Sequence, residues 1–191
     1  MQVAVIGGGA AGFFAAISAK THHPEANVTI YEKTDKLLSK VRISGGGRCN
    51  VTHHCFDIRE LVKFYPRGER PLKKAFGIFS PIDTIEWFQK RGVELKTESD
   101  GRMFPITDDS QTIINCLMDE CRKLGVGIKT GSNIKSLEKD RDGYKLRFQR
   151  GERKSVDKVI VATGGNPRGR GFDWLRELGH EIEEPVPSLF T

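Results

Sequence analysis

A glycine turn near the start of the chain has the spacing of a phosphate-binding motif. The pattern G-x-G-x-x-G is matched by Gly7, Gly8, Gly9, Ala10, Ala11 and Gly12. In such a motif the first glycine makes a tight turn, the second lets the backbone approach a pyrophosphate, and the third lets a helix pack on a strand. The motif is weak by itself, because glycine turns in unrelated loops match it too.

The sequence around the turn predicts a βαβ unit. Val3–Ile6 has the apolar run of a buried strand, Ala10–Lys20 is Ala-rich and predicts a helix, and Val28–Tyr31 predicts the next strand. The start of that helix would offer free N–H groups and a positive dipole end to phosphates.

Glu32 follows the second predicted strand, twenty residues after Gly12. A carboxylate at this position can accept hydrogen bonds from a ribose diol and would repel a 2′-phosphate. We therefore expect FAD or NAD rather than NADP at this site. A solvated acid at a strand end is the alternative interpretation of Glu32.

A second glycine cluster follows, and a simple turn does not explain it. It consists of Ser44, Gly45, Gly46, Gly47, Arg48, Cys49 and Asn50. Three consecutive glycines cost backbone entropy, which close approach to a flat ligand or a phosphate would justify. The guanidinium of Arg48 suits a pyrophosphate or the electron-rich edge of a reduced flavin.

The rest of the chain predicts an α/β protein with a small antiparallel part. Residues 37–79 are irregular with short helical pieces, a helix runs from Pro81 to about Arg91, and a second helix ends at Gly125. Val93–Thr97 and Arg102–Phe104 predict a hairpin.

The last part of the sequence predicts a meander and a final strand. Gly127–Ile134, Lys135–Glu138 and Tyr144–Gln149 alternate apolar with polar residues, as an antiparallel meander does. Val156–Val161 predicts a last buried strand, which ends at Ala162–Gly165. We expect a parallel sheet with an antiparallel β-meander.

Length and charge set limits on the function. The 191 residues suit one domain, and the net charge of +6 suits an anionic partner, although ordinary solubilising charge explains it as well. No secretory leader, C-x-x-C pair or membrane-length apolar segment is present, so we expect a soluble cytoplasmic protein without structural disulfides.

Three other groups of residues suggest different chemistry. Cys49, His53, His54 and Cys55 are competent zinc ligands, but their spacing disfavours one tetrahedral ion, and a Cys49–Cys55 redox disulfide is equally disfavoured. A third group consists of basic residues interleaved with aromatic ones, which suits nucleic acid: Lys63, Phe64, Tyr65, Arg67, Arg70, Lys73, Lys74 and Phe76. A solvated helix face with core aromatics is the interpretation that we favour there.

The motifs together resemble the BaiN-like bacterial NAD(P)/FAD-dependent oxidoreductases. Ser44–Thr52 is similar to the family's S-G-G-G-R-C-N-x-T, Gly101–Pro105 to its G-R-x-F-P, and Ala162–Gly165 to its A-T-G-G. Leu178–His180 and Pro185–Leu189 are similar to its closing L-G-H and P-x-P-x-L. The resemblance spans nearly the whole chain.

The resemblance implies a Rossmann-like FAD-binding domain of the two-dinucleotide-binding type, with NAD(P)H as a possible electron donor and an unknown small-molecule substrate. Reduction of uridine in ribosomal RNA is among the activities associated with the family, and a dinucleotide- or RNA-binding module without turnover is the alternative. The FAD contacts implied are Gly7–Gly12, Glu32, Lys33, Ser44–Asn50, a backbone contact near Ile134 to the adenine, Ala162, Thr163 and Gly164.

Two expectations about the whole protein complete the prediction. Family members are about twice as long, so an inserted substrate domain and a returning C-terminal segment are expected to lie outside this sequence. No Ser/His/Asp or paired-carboxylate arrangement stands out, and a flavoenzyme requires none, because the cofactor carries the hydride. We assign no catalytic residue, no metal and no oligomeric state.

Overall fold

The computed structural model describes residues 1–165 and 170–183. The chain folds into two compact units, where its length led us to expect one. The first unit comprises Met1–Ser39 with Asp119–Thr191, and the second comprises Lys40–Met118. The closing motif predicted at Pro185–Leu189 lies outside the described residues.

The elements have the following bounds. The strands are β1 (Gln2–Ile6), β2 (Asn27–Tyr31), β3 (Thr52–His53), β4 (Leu95–Thr97), β5 (Arg102–Pro105), β6 (Gly127–Lys129), β7 (Ile134–Lys139), β8 (Tyr144–Phe148), β9 (Arg153–Val156) and β10 (Lys158–Val161). The helices are α1 (Ala10–His22), α2 (Ser39–Gly47), α3 (Ile58–Leu61), α4 (Glu69–Phe76), α5 (Pro81–Gln89), α6 (Ser110–Lys123) and α7 (Asp173–Glu177).

A parallel sheet forms the centre of the first unit, as predicted. Its strand order is β10-β1-β2-β6, and every pairing in it is parallel. Val3–Ile6 is buried along its whole length, because neighbouring strands flank it and helix α1 covers one face. The helix contributes Phe13, Ala16 and Ile17 to the core.

The antiparallel meander exists, but one segment predicted to belong to it lies in the parallel sheet, and one of its strands was missed. Gly127–Lys129, assigned to the meander from its alternation, is instead β6 and pairs in parallel with β2. The meander is β7-β8-β9, and its third strand Arg153–Val156 was not predicted. Alternation shows that a strand has two different faces, but it does not identify the partner strand.

The last parallel strand is shorter and more exposed than predicted. It begins at Lys158, because Val156 belongs to β9 and pairs with Tyr144. Among the described strands β10 lies at the edge of the sheet, and Val161 is 40% exposed.

The second unit confirms the hairpin and the capped helix. Strands β4 and β5 pair in antiparallel order, and β3 pairs with the other side of β5. At the start of α5, the Asp83 carboxylate accepts a hydrogen bond from the Ser80 N–H at 2.7 Å, and the Ser80 Oγ accepts one from the Asp83 N–H at 3.4 Å. This helix ends at Gln89, two residues earlier than predicted.

Within the described part of the chain, no helix is both long enough and apolar enough to cross a membrane.

Candidate dinucleotide-binding site

The predicted turn joins β1 to α1 and leaves no room for side chains at two of its glycines. Gly7 has a φ of +116°, and a Cβ there would lie 2.3 Å from the carbonyl oxygen of Ala162. A Cβ on Gly12 would lie 1.9 Å from the carbonyl oxygen of Gly7. Both glycines are therefore required for packing of the helix start against β1 and the end of β10.

Gly9 differs from these two glycines. A Cβ at this position would meet no protein atom within 4 Å, so the backbone borders open space. Gly9 is also the N-cap of α1, where no side chain caps the helix and no acidic residue occupies the first turn. An uncapped helix start beside open space is the arrangement that receives an anion.

Glu32 is tied to the turn. Its Oε2 accepts a hydrogen bond from the Gly8 N–H at 2.8 Å, and its Oε1 accepts bonds from the N–H and hydroxyl of Thr34, both at 2.9 Å. An ionised carboxylate has about four acceptor positions. Oε2 therefore retains capacity for a donor such as a ribose hydroxyl.

These contacts also fix the charge of Glu32. Burial alone would raise the pKa of its carboxyl group, but the hydrogen bonds from Gly8 and Thr34 and the charge of Lys33 outweigh burial and lower the pKa below its usual value. The group is thus a carboxylate at neutral pH.

A cavity of about 670 Å³ lies beside the turn in the first unit. That volume is within the range of small-molecule sites. Five predicted contact residues from separate parts of the sequence line it, namely Gly7, Glu32, Lys33, Ile134 and Thr163. Ala162 borders the turn through its contact with Gly7, and Gly164 has a φ of +72°.

Several lining residues were not predicted. They are Ile6, Tyr31, Ser132, Asn133, Lys135, Gln149, Gly165, Gly171 and Trp174. Ser132 and Asn133 precede β7, where the sequence shows only a polar turn, and Trp174 comes from α7. The adenine contact predicted near Ile134 was the one signal that pointed to the Ser132–Lys135 segment.

The second glycine cluster belongs to the second unit and has an unusual backbone. Within α2, Ser44 is extended, and Gly45, Gly46 and Gly47 have φ values of +56°, +69° and +89°. A Cβ on Gly45 would lie 2.6 Å from Cε1 of Phe104. Left-handed backbone therefore explains the three glycines, and a Cβ on Gly46 would meet nothing within 4 Å.

Arg48 is engaged within its own unit. It forms an ion pair with Glu98, lies 3.6 Å from Asp108, and stacks over the ring of Phe104 with its guanidinium carbon 4.1 Å from the centroid. The hydrogen bond from Arg48 to Glu98 is the largest cause that raises the pKa of its guanidinium. In this arrangement the fork faces carboxylates, so Arg48 holds the cluster to the β4–β5 hairpin.

Cys49 has a left-handed φ of +64° and is buried. Burial raises the pKa of its thiol, which leaves it protonated and a poor nucleophile at neutral pH. All four cysteines are free thiols. No set of three or more metal-binding side chains comes together in the ranges 1–165 and 170–183.

The basic and aromatic segment differs from the interpretation that we favoured. Phe64 is 67% exposed and Tyr65 is 44% exposed, and helix α4 contains no buried residue. The aromatic residues at 64 and 65 are therefore surface residues and not core residues.

Comparison with known proteins identifies the family. A family model described as the HI0933-like protein Rossmann domain matches residues 1–186. The chain belongs to this HI0933-like family. Membership confirms the resemblance stated from the motifs and the Rossmann-like fold.

Two curated relatives illustrate the similarity of this HI0933-like chain to proteins of known activity. It is 31% identical to a 3-dehydro-bile acid Δ4,6-reductase of Clostridium scindens over 98% of this chain and 46% of the relative. It is 32% identical to a ribosomal RNA dihydrouridine synthase of Escherichia coli over 84% of this chain and 38% of the relative. The chain thus spans less than half the length of these relatives.

The fold is also similar to the structure of a 3-ketosteroid-Δ4-(5α)-dehydrogenase from Rhodococcus jostii. The TM-score is 0.64 at 16% identity, with 90% of this chain and 47% of that chain covered. This likeness concerns the fold of the HI0933-like chain.

Proposed function

We propose that the protein is an FAD-dependent oxidoreductase, with the first unit holding the adenosine diphosphate half of the cofactor. The observation that carries the proposal is a cavity lined by Gly7 of the turn and by the Glu32 carboxylate, next to an uncapped helix start whose N-cap Gly9 borders open space. Membership of the HI0933-like family and the names of the curated relatives support redox chemistry.

The residues present fit the proposed cofactor. The space that a Cβ on Gly9 would enter is free for a pyrophosphate, and the helix start supplies N–H donors. Glu32 is ionised and has an acceptor position for a ribose hydroxyl. The backbone at Ile134 lines the same cavity and would contact the adenine.

Bound FAD would supply hydride acceptance and donation. The residues of this chain would bind and orient the cofactor, and Glu32 would favour an unphosphorylated ribose. Residues Ser44–Asn50 are proposed as flavin contacts on the strength of the family resemblance. Because burial raises the pKa of the Cys49 thiol, which makes it a poor acid, and Arg48 is paired with Glu98, neither is proposed to transfer a proton.

We propose NAD(P)H as electron donor and a carbon–carbon double bond as the acceptor, which gains a hydride and a proton. One relative is named a reductase and another a dihydrouridine synthase, and both names describe addition of hydrogen. The bile acid reductase supports a small molecule as substrate.

A uridine in RNA is a second candidate substrate. The observation that favours it is the exposure of aromatic side chains beside basic residues in the second unit. The name of the Escherichia coli relative agrees with this candidate.

Absorbance spectroscopy tests the proposed function. The protein, purified or incubated with FAD, is expected to show the flavin bands, and anaerobic addition of NADH or NADPH is expected to bleach them. The nucleotide that bleaches the flavin bands faster is thereby identified as the electron donor. A protein that takes up no FAD would refute the proposal.

A further inference from the structure

An aromatic cavity of about 520 Å³ lies in the second unit. It is lined by Asn50, Val51, Thr52, His53, Leu61, Phe64, Tyr65, Phe76, Pro81 and Thr84. Its aromatic rings lie close to one another: the centroids of His53 and Phe64 are 5.5 Å apart, and those of Tyr65 and Phe76 are 5.9 Å apart. Phe64 and Tyr65 are both exposed to solvent, Phe64 the more so.

Exposed aromatic rings require an explanation, because burial in the core would remove their apolar surface from water. A flat ligand that stacks on these rings would also remove their apolar surface from water. Every nucleobase has such a face, and stacking on aromatic side chains is how single-stranded nucleic acids are held without dependence on sequence.

The surroundings of the aromatic cavity are positively charged. Between positions 63 and 74, five basic residues accompany one acidic residue, Glu69. Lys63 pairs with Glu60 at 2.7 Å, whereas Arg67, Arg70, Lys73 and Lys74 form no ion pair with any residue in the described ranges. Lys73 lies one helical turn before Phe76, so its charge is on the cavity side of α4.

The cavity also offers polar groups to the edge of a base. Asn50, Thr52, His53 and Thr84 line it. The Nδ1 atom of His53 is buried and has no hydrogen-bond partner in the described part of the chain, while its Nε2 lies 3.2 Å from the carbonyl oxygen of Asp100. The side chains of Asn50, Thr52 and Thr84 carry the hydrogen-bond donors and acceptors that the edge of a base requires.

We propose that this surface binds single-stranded RNA, with a base stacked on Phe64 in the aromatic cavity and the phosphates held by Arg67, Arg70, Lys73 and Lys74. The charge favours a polyanion, because a neutral apolar partner such as a steroid would use the aromatic rings but not the four cations that have no ion pair with a described residue. The inference rests on the proposed function only for turnover, because RNA binding itself needs no flavin.

Fluorescence anisotropy with labelled oligouridine of about twelve nucleotides tests the proposal on the full chain. Affinity is expected to fall steeply as salt rises. The variant Lys73→Glu/Lys74→Glu should bind more than about tenfold less tightly at low salt. Loss of two phosphate contacts should make the slope of log K against log salt shallower by about 1.4.

The control variant is Lys139→Glu/Lys158→Glu. These two lysines are exposed, lie in the first unit, and also have no ion pair with a described residue. The control carries the same change in net charge and should bind within about twofold of the wild type, since the local cluster and not the overall charge is proposed to act.

Phe64 tests the stacking. Phe64→Leu keeps an apolar side chain but removes the aromatic face, and should weaken binding about tenfold, while Phe64→Trp should retain it. Thermal melts establish that each variant is folded. Failure of oligouridine to bind, equal losses in both lysine pairs, or unchanged binding by Phe64→Leu would each overturn the proposal and indicate that another protein segment covers these rings.

Flavin absorbance separates this inference from the proposed function. Flavin uptake without RNA binding would refute the RNA surface and leave the oxidoreductase intact. RNA binding by a protein that takes up no FAD would support the RNA surface and refute the proposed oxidoreductase.

Discussion

Replacement of Gly12 by alanine gives a direct test of how the turn is packed. The new Cβ would lie 1.9 Å from the carbonyl oxygen of Gly7, so these groups would have to separate by roughly 1 Å or more to reach ordinary contact. Both belong to the backbone, and the buried residues Phe13 and Ala16 hold α1 in place. Overpacking of this kind costs about 3 kcal/mol, from which the higher helix propensity of alanine recovers about 1 kcal/mol.

The expected net loss is therefore about 2 kcal/mol, which corresponds to a fall in Tm of about 4–8 °C for a chain of this size. Gly9→Ala is the matched control. Its Cβ would meet no atom within 4 Å, and its φ of −90° suits alanine. Its Tm should therefore change by at most about 4 °C, through a weaker N-cap.

Cofactor affinity separates the two variants further. In Gly9→Ala the methyl group would occupy the space proposed for the pyrophosphate. We therefore expect FAD to bind about ten- to a hundredfold less tightly, which is the effect of losing one charge-assisted hydrogen bond. Differential scanning calorimetry and FAD titration measure both effects. A Gly12→Ala protein with the Tm of the wild type would refute the packing of the turn. A Gly9→Ala protein with unchanged FAD affinity would refute the phosphate assignment.

Two further predictions concern titratable groups. Because the folded state lowers the pKa of Glu32, its contribution to stability is present above the unfolded value and is lost as pH falls through the folded value. Urea unfolding should thus show Glu32→Gln less stable by about 1–2 kcal/mol at pH 7, and a difference that persists undiminished at about pH 3 would contradict this. Burial raises the pKa of Cys121 to about 12, whereas Cys55 is half-buried. Alkylation at about pH 8, mapped by mass spectrometry, should label Cys55 first and Cys121 last, and the reverse order would refute these thiol environments.

The sequence predicted the elements whose signals are local. The β1–turn–α1 segment, the capped helix at Pro81 and the hairpin around Gly101 follow from spacing and capping, and the structure has them. The errors lie where the partner is distant. β6 alternates like a meander strand, but it pairs with β2, which lies far earlier in the sequence, and no local pattern encodes that choice.

The site shows the same division. Gly7 and Glu32 were predicted from their spacing at the ends of two strands, where ligands of such folds bind, and Thr163 was predicted from the family resemblance; all three line the cavity. Gln149 and Trp174 line the cavity through tertiary packing and carry no signal of their own. The exposed Phe64 was misjudged because interleaved basic and aromatic residues fit a buried face as well as an open one.

Competition against bound FAD tests the central claim, that the first unit receives the adenosine half of FAD beside Glu32. ADP is expected to displace FAD from the protein, since it carries the adenine, the free ribose and the pyrophosphate. ADP that carries an additional 2′-phosphate should displace it far less well, because that 2′-phosphate would meet the Glu32 carboxylate. Equal displacement by both nucleotides, or by neither, would contradict the account.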